Sequence, residues 1–192
     1  RIGRFEILRE LGRGAQSIVY LALDPHLQRQ VAIKTLHFAR ADAQQNRQLL
    51  DEARMVSQLR HPNIVPIFAV GSERGVNYFA MQFIEGESLA ELLARNRRPL
   101  APVQVAEFGL QAAEALAHAH QRGVIHRDVK PSNLIVDREN RLWLTDFGLA
   151  RRMDDVTLSL TGALLGTPRY MSPEQAVAAR KQVDHRSDLF SL

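Results

Sequence analysis

The chain has 192 residues and a formal net charge of +4, from 25 Lys and Arg against 21 Asp and Glu. Hydrophobic residues make up 45% and charged residues 24%, which excludes a disordered or low-complexity chain. The absence of cysteine excludes a disulfide scaffold, a thiolate zinc site and a cysteine nucleophile. No apolar run approaches the ~18 residues that a membrane span needs, and no basic face with interleaved aromatic residues is present. We therefore expect no membrane segment within this chain and no nucleic-acid partner.

The first third of the chain has the apolar alternation that is typical of β-strands. Strands are predicted over 5–11, 18–23 and 31–33. The period then becomes helical over 42–59. The apolar stripe of this predicted helix is Leu49, Ala53, Val56 and Leu59. Two further apolar runs, 64–71 and 78–84, complete a predicted five-stranded antiparallel sheet.

After Gly86 the sequence predicts mainly helices. Ser88 and Glu91 have the spacing of a capping box, in which each side chain accepts from the other residue's backbone N–H. A longer helix is predicted over 102–121, and Gly123 is placed to end it. Its predicted buried face is Val105, Phe108, Ala112, Leu116 and Ala119. Short strands are predicted over 124–125, 134–136 and 142–144. These patterns predict an α+β chain with a small β-rich lobe, a hinge near 82–86 and a mainly helical lobe.

The segment Gly-Arg-Gly-Ala-Gln-Ser at 12–17 lies between two predicted strands. Glycines there allow backbone N–H groups to approach phosphate oxygens closely. A plain hairpin turn explains this segment equally well. The segment opens into a strand rather than a helix and lacks Gly-Lys-Ser/Thr, so it is neither a dinucleotide fingerprint nor a Walker loop.

Lys34 ends the apolar strand Val-Ala-Ile-Lys, where a buried lysine needs an acidic partner. Glu52 lies on the next predicted helix, on the side of its apolar stripe, and is the candidate partner. An incidental surface charge pair is the alternative that these two residues leave open.

The segment 126–133, His-Arg-Asp-Val-Lys-Pro-Ser-Asn, concentrates charged and amide side chains within eight residues. Asp-Phe-Gly follows at 146–148, thirteen residues after Asn133. Gly-Thr-Pro at 166–168 and Ser-Pro-Glu at 172–174 come next. A single Asp is often only a turn residue, but this set in this order and spacing does not arise by chance.

Together with the Gly-rich segment and the Val-Ala-Ile-Lys strand, these motifs resemble the signature set of the protein kinase superfamily, over the whole chain. The run Met-Ser-Pro-Glu-Gln at 171–175 is most similar to the eukaryotic-like Ser/Thr protein kinases of bacteria. Lys130 and Thr167 form the Ser/Thr-type arrangement rather than the tyrosine-type one. The resemblance implies a bilobal fold, in which the N-lobe has a five-stranded antiparallel sheet plus one helix and the C-lobe is mainly helical.

The resemblance also implies one kinase catalytic domain over 1–192. Its N-lobe would be 1–84, and 85–192 would contain the hinge end and a partial C-lobe. The chain does not begin with Met, and its apolar-rich end matches the family's central C-lobe helix, whose acid, here Asp188, braces the His-Arg-Asp backbone. We therefore expect a truncated domain. The resemblance also implies that the kinase domain is cytoplasmic. Proteins of this kind often carry a membrane segment outside the kinase domain.

By resemblance, the chain transfers the γ-phosphate of ATP to Ser and Thr hydroxyls of protein substrates. The implied catalytic residues are Lys34, Glu52, Asp128, Lys130, Asn133 and Thr167. Asp128 would accept the proton of the substrate hydroxyl, and Lys130 would offset charge on the γ-phosphoryl group. Thr167 would brace both of them. Lys34, held by Glu52, would bind the α- and β-phosphates.

The implied cofactors are ATP and Mg²⁺. The oxygen ligands of Mg²⁺ would come from Asn133 and Asp146. Adenine would lie between Val19 and Ala32 on one side and Ile135 on the other. The implied nucleotide-binding residues are Leu11, Gly12, Arg13, Gly14, Ala15, Gln16, Ser17, Val19, Ala32, Lys34, Met81, Gln82, Phe83, Ile84, Ile135 and Asp146. Ser17 replaces the third glycine of the family's loop, which stiffens the loop tip.

Arg127 lies beside the catalytic base Asp128 in sequence, and this suggests regulation, because Arg127 can pair with a phosphate in the segment 146–174. The candidate phosphorylation sites are Thr157, Ser159 and Thr161, with Thr161 favoured. A homodimer that promotes trans-autophosphorylation is a further expectation from the resemblance.

Two rival interpretations differ in class. A non-catalytic nucleotide-binding module would have lost one of the key residues, yet Lys34, Asp128, Asn133 and Asp146 are all present. A small-molecule phosphotransferase is disfavoured by Lys-Pro at 130–131 and Ser-Pro-Glu at 172–174, which belong to peptide-substrate machinery.

Overall fold

The computed structural model describes residues 1–14, 17–36, 43–96, 98–147, 168–176 and 183–192. The chain forms two compact units. The first comprises Arg1–Gln58 with Val65–Phe83, and the second comprises Leu59–Ile64 with Ile84–Leu192. The predicted lobe limits at 84 and 85 stay a prediction.

The first unit is built on a five-stranded sheet. Its strands are β1 Glu6–Arg13, β2 Ser17–Asp24, β3 Arg29–Leu36, β4 Ile67–Glu73 and β5 Val76–Gln82. The strand order is β1-β2-β3-β5-β4, and every neighbouring pair is antiparallel. Among the described residues, a buried cluster combines Phe5 with four residues of the sheet, Ala22, Val31, Ile33 and Ala80. The predicted five-stranded antiparallel sheet is therefore confirmed.

Helix α1, Ala43–Ser57, belongs to the same unit and contacts β4. Leu49, Ala53 and Val56 are buried, as their helical spacing predicts. Removing such apolar side chains from water stabilises the unit by roughly 1.5–3 kcal/mol for a residue the size of Leu. The stripe therefore forms the buried face of α1.

The second unit combines a small sheet with helices. Its strands are β6 Gly86–Ser88, β7 Leu134–Asp137 and β8 Leu142–Leu144, paired antiparallel in the order β6-β7-β8. The helices are α2 Leu89–Arg95, α3 Pro102–His120, α4 Pro173–Ala176 and α5 His185–Ser191. Single 3₁₀ turns lie at Pro131–Asn133 and Pro168–Tyr170. Within the described ranges, no helix has both the length and the apolar composition that crossing a membrane requires.

The ends of the helices follow the sequence signals. At α2 the capping box is confirmed, because Ser88 Oγ accepts from Glu91 N at 3.2 Å and Glu91 Oε2 accepts from Ser88 N at 2.8 Å. The Ser88 hydroxyl, which donates to Glu91 Oε2 at 2.7 Å, and the Ser88 N–H hold the pKa of the Glu91 carboxyl below its usual range. After α3 the backbone of Gly123 has φ of +72°, a conformation that glycine adopts without strain.

The buried face of α3 differs from the prediction at one residue. Phe108, Ala112, Leu116 and Ala119 are buried as predicted, and Ala115 joins them. The prediction for Val105 is wrong, since 55% of this residue is exposed in the described structure. Its i, i+3 spacing to Phe108 continues the apolar period, but the residues of the first turn of α3, 102–105, are exposed or only partly buried.

The strand predicted over 124–125 is also wrong, since these residues form no strand. The Val124 N–H donates to the Ala119 carbonyl at 3.0 Å and thereby completes the end of α3. The following His126 N–H donates to the Asp188 carboxylate at 2.8 Å. Because these donors are used by a helix end and a side chain, apolar composition alone does not make this segment a strand.

We expect Gly86→Ala to destabilise the second unit. A Cβ at Gly86 would collide with the carbonyl oxygen of Val136 and lie 3.0 Å from Asp137 Cα, both on the paired strand β7. Overpacking of this kind lowers the free energy of unfolding by about 1–3 kcal/mol. Urea titration of the variant and the wild type measures this difference. The control is Gly109→Ala in α3, where nothing lies within 4 Å of the added Cβ. It should stabilise by about 0.5–1 kcal/mol, so equal effects of the two substitutions would contradict the prediction.

Candidate active site

The loop that follows α3 is fixed by the side chain of His126, which is fully buried. Its Nε2 lies 2.9 Å from the Thr145 carbonyl oxygen, so this nitrogen donates. Its Nδ1 accepts from the Asp128 N–H at 3.2 Å. Both contacts are satisfied only by the neutral imidazole with its proton on Nε2.

The environment of His126 favours that neutral form. Burial lowers the pKa of the imidazole, and this effect outweighs the opposing influence of the Asp188 carboxylate. The ring also contacts Phe147, with ring centroids 4.6 Å apart. His126 therefore joins the loop to the Thr145–Phe147 segment without carrying a charge.

Asp188, in the first turn of α5, holds the backbone of the same loop. The residue is fully buried. Its Oδ2 accepts from the His126 N–H at 2.8 Å, and its Oδ1 accepts from the Arg127 N–H at 2.7 Å. His120 Nε2 of α3 lies 2.7 Å from Oδ2 and supplies a third contact. One carboxylate thus ties α3, α5 and the loop together.

The helix that carries Asp188 has a cap of its own. Asp184 Oδ1 accepts from the Arg186 N–H at 2.9 Å, and its carboxylate also contacts the Arg186 guanidinium. These contacts lower the pKa of Asp184 to about 2. The cap fixes where α5 begins and therefore the position of Asp188 within it.

Asp128 is the centre of a polar cluster. Its Oδ2 lies 2.8 Å from Lys130 Nζ and 3.0 Å from Asn133 Nδ2. The same Asn133 nitrogen donates to the Asp128 carbonyl at 2.8 Å. The side chains of Asp128 and Lys130 are only 17% and 21% exposed, so their charges interact in a partly desolvated site. The structure thus brings three of the predicted catalytic side chains together.

Asp146 is joined to this cluster through the backbone. The Thr145 N–H donates to the Asn133 carbonyl at 3.0 Å, so the residue after Thr145 lies beside the cluster. The Asp146 backbone has φ of +60°, which is uncommon for a residue with a side chain. Two predicted metal ligands are therefore held on neighbouring segments although thirteen residues separate them in sequence.

The donor chemistry of these two residues fits Mg²⁺. Asn133 uses its amide nitrogen for both contacts with Asp128, and its amide oxygen takes part in neither. A carbonyl-type oxygen and the Asp146 carboxylate are hard ligands of the kind that Mg²⁺ prefers.

Sequence reasoning missed the role of Gln175 in α4. Its Nε2 donates to the Arg127 carbonyl at 2.8 Å, and its Oε1 accepts from the Ser172 N–H at 3.1 Å. The available signal was Ser followed by Gln three residues later, which is capping-box spacing. Next to it, Glu174 accepts from the Ser187 hydroxyl, and this contact holds the pKa of its carboxyl below the usual range.

In the first unit, Lys34 lies on β3, opposite Val19 of β2 and Phe79 of β5. Ala32 lies two residues earlier on β3 and pairs with Met81. Glu52 lies on α1, next to the buried Ala53.

The Gly-rich segment joins β1 to β2. Gly12 pairs with Val19, and the Gly14 N–H donates to the Ser17 carbonyl at 2.8 Å, which closes the turn. The Arg13 guanidinium contacts the Glu10 carboxylate at 2.7 Å, which raises the pKa of Arg13. The predicted residue Leu11 lies on β1 as well.

The remaining predicted nucleotide-binding residues fall in both units. Met81 and Gln82 end β5, and the Gln82 N–H donates to the Pro66 carbonyl at 2.9 Å. Phe83 ends the first unit, and the buried Ile84 begins a segment of the second. Ile135 lies on β7 of the second unit, opposite Ser88 and Trp143.

Six predicted residues lie outside the described part of the chain. They are Ala15, Gln16, Thr157, Ser159, Thr161 and Thr167.

An antiparallel five-stranded unit and a second unit whose loop holds Asp128 beside a lysine and an asparagine are features of the protein kinase class. Residues 5–192 match the family model described as protein kinase domain. The chain therefore belongs to the protein kinase family.

The chain is 41% identical to Serine/threonine-protein kinase PrkC of Bacillus subtilis over 99% of its own length. It is 42% identical to Serine/threonine-protein kinase pkn2 of Myxococcus xanthus, again over 99% of its length. The chain spans only 29% of the first relative and 23% of the second.

Two solved structures are similar over the whole chain. The PknI kinase domain of Mycobacterium tuberculosis has a TM-score of 0.78 at 28% identity, with 71% of that chain covered. The structure titled PpkA-294 apo form has a TM-score of 0.83 at 25% identity, with 73% covered. These likenesses confirm the predicted kinase fold.

Proposed function

We propose that the chain is the catalytic domain of a Ser/Thr protein kinase that transfers the γ-phosphate of ATP to Ser and Thr hydroxyls of protein substrates. The observation that carries the proposal is the cluster in which Asp128 Oδ2 contacts both Lys130 Nζ and Asn133 Nδ2. The names of the relatives support the substrate class. Within this domain we assign residues 1–84 to the N-lobe and residues 85–192 to the C-lobe.

In this mechanism Asp128 orients the substrate hydroxyl and takes its proton on a carboxylate oxygen as the hydroxyl oxygen attacks the γ-phosphorus. The bond between the γ-phosphorus and the β,γ-bridging oxygen breaks, and ADP leaves with the electron pair of that bond. The Asn133 amide keeps the carboxylate in place through Oδ2. The Lys130 ammonium, 2.8 Å from the same oxygen, places positive charge where the γ-phosphoryl oxygens gain negative charge. Thr167 completes the set as a brace for Asp128 and Lys130.

Asn133 and Asp146 are the residues that would hold Mg²⁺. When bound, the ion would supply positive charge that neutralises the phosphates of ATP. The backbone contact between Thr145 and Asn133 supports this assignment because it keeps the two ligands on adjoining segments. This assignment would put the oxygen ligands of the ion close to the catalytic base.

For ATP we assign the phosphate contact to Lys34, positioned by Glu52. The support is that Lys34 lies on β3, the central strand of the sheet, where pairing with β2 and β5 fixes the direction of its side chain. The open space beside Gly12, where an added Cβ would meet nothing within 4 Å, supports phosphate contacts from the Gly-rich segment.

Regulation is assigned to the segment that contains Thr157, Ser159 and Thr161. A phosphate adds about −1.5 to −2 charge at pH 7, which a neighbouring guanidinium can bind. Arg127 is the residue placed for this role, since its N–H and carbonyl are fixed by Asp188 and Gln175. We further propose that a homodimer performs this phosphorylation in trans.

We expect Asp128→Asn to lower kcat for transfer to a generic protein substrate by about 10²- to 10⁴-fold, because the amide cannot accept the hydroxyl proton. The measurement is transfer of labelled γ-phosphate, with ATP binding followed by calorimetry. Asp51→Asn is the matched control, since the Asp51 side chain is 68% exposed on α1 and contacts Arg54 of the same helix.

ATP binding should stay the same in both variants. A wild-type protein that binds ATP but transfers no more phosphate than Asp128→Asn would be a non-catalytic nucleotide-binding module, and the proposed function would fail. Transfer to small molecules but to no protein would instead support the small-molecule phosphotransferase.

We also expect phosphate on the segment 149–166 of the active protein, with Thr161 as the favoured site. Mass spectrometry of the protein after incubation with ATP checks this. Thr161→Ala should remove most of the activity gained on incubation. If a dimer acts in trans, the initial rate of loop phosphorylation should rise with the square of protein concentration while most of the protein is monomeric. An active protein without phosphate in this segment would contradict the regulatory assignment.

A further inference from the structure

The side chain of Gln175 connects α4 to the loop that carries Asp128. Its Nε2 donates to the Arg127 carbonyl at 2.8 Å, and its Oε1 accepts from the Ser172 N–H at 3.1 Å. A carbonyl can only accept and an N–H can only donate, so these two contacts require the two ends of one amide in one orientation. A carboxylate could satisfy Ser172 but would present an acceptor to the Arg127 carbonyl.

The carbonyl that Gln175 binds belongs to the peptide unit immediately before Asp128. The N–H of that same peptide unit is bound by His126 Nδ1 at 3.2 Å. Both polar atoms of the 127–128 peptide are therefore held by side chains. Since the plane of a peptide sets the direction of the next Cα–Cβ bond, this clamp determines where the Asp128 carboxylate is placed.

The clamp acts on backbone that is strained. Arg127 has φ of +66°, in the left-handed region that residues with a Cβ rarely adopt. Such a conformation persists only where its surroundings fix it. Asp188 fixes the N–H of Arg127, at 2.7 Å, and Gln175 fixes its carbonyl. Without the second contact, His126 Nδ1 alone would hold the 127–128 peptide against rotation about ψ of Arg127.

We propose that Gln175 is a positioning residue for Asp128, which it serves by donating a hydrogen bond to the Arg127 carbonyl. This inference rests on the proposed kinase function. It adds that phosphoryl transfer requires the Gln175 side chain of the Ser-Pro-Glu-Gln segment. The motif residues 172–174 precede α4 or form its first turn, and Gln175 is the side chain through which α4 holds the catalytic loop.

The decisive substitution is Gln175→Glu. A glutamate keeps an oxygen for the Ser172 N–H and preserves the start of α4, since Glu is a usual capping-box residue. It replaces the donor to the Arg127 carbonyl by an acceptor and adds one negative charge, which a Gln→Glu control elsewhere also adds. If Gln175 merely caps α4, the substitution leaves catalysis unchanged, whereas a positioning role makes it harmful.

The chain offers a matched control in α3. Gln104 occupies the same third helical position, and its Oε1 accepts from the Ala101 N–H at 3.3 Å. Gln104→Glu keeps that contact and touches no part of the catalytic loop. The two substitutions are therefore chemically identical and differ in the donor contact to Arg127.

Steady-state kinetics of the whole protein give the first readout. We expect Gln175→Glu to lower kcat by about 10- to 100-fold, with the KM for ATP within about twofold of the wild-type value, because the base is displaced while the nucleotide contacts are untouched. Gln175→Ala should lower kcat by about 10-fold, and Gln104→Glu should retain the wild-type kcat. A wild-type kcat for Gln175→Glu would overturn the inference.

Hydrogen exchange gives a readout that does not depend on activity. Peptides covering 124–131 should exchange about fivefold to tenfold faster in Gln175→Glu than in the wild type, and at the wild-type rate in Gln104→Glu. If the wild type transfers no phosphate, the proposed function fails, while exchange still decides whether Gln175 holds the loop. Unchanged exchange in Gln175→Glu would overturn the inference even in an active kinase.

Discussion

A buried carboxylate that accepts two backbone N–H groups is the constraint on which the second unit depends. Asp188 is fully buried, and a carboxylate without hydrogen-bond donors would be costly there. His126 and Arg127 supply their N–H groups, and His120 supplies a ring nitrogen. The same contacts that make burial of the acid tolerable also fix the course of the chain just before Asp128. The hydrogen bonds that offset the cost of burying this charge thus also order the loop.

Further hydrogen bonds connect the backbone that Asp188 holds to the side chain of Asp128. His126 links the loop to Thr145, which in turn is bonded to Asn133. Asn133 then holds the Asp128 carboxylate, and Lys130 contacts the same oxygen. Positive φ at Arg127 and Asp146 marks where the backbone is bent to bring these segments together. Function on this account requires strained backbone that buried polar contacts stabilise.

Sequence patterns predicted the elements that local rules determine. The Ser88–Glu91 cap and the buried stripe of α1 were confirmed because spacing alone specifies them. Val105 and the segment 124–125 were mispredicted because exposure and strand pairing depend on distant parts of the chain. The kinase motifs indicated Asp128, Lys130 and Asn133, which the structure brings together. Gln175 was missed because its partner is a backbone carbonyl 48 residues away, which no side-chain pattern reveals.

Replacement of Asp188 tests this account most directly. In Asp188→Asn the side chain keeps its size but has one acceptor in place of two and turns a donor toward the loop. Since a hydrogen bond to a charged group contributes about 1.5–3 kcal/mol, the amides of His126 and Arg127 should exchange about 10- to 100-fold faster, with loss of phosphoryl transfer. Asp184→Asn should leave these two amides protected, because Asn is as good an N-cap residue as Asp and keeps the start of the same helix. Protected amides and full activity in Asp188→Asn would contradict the account.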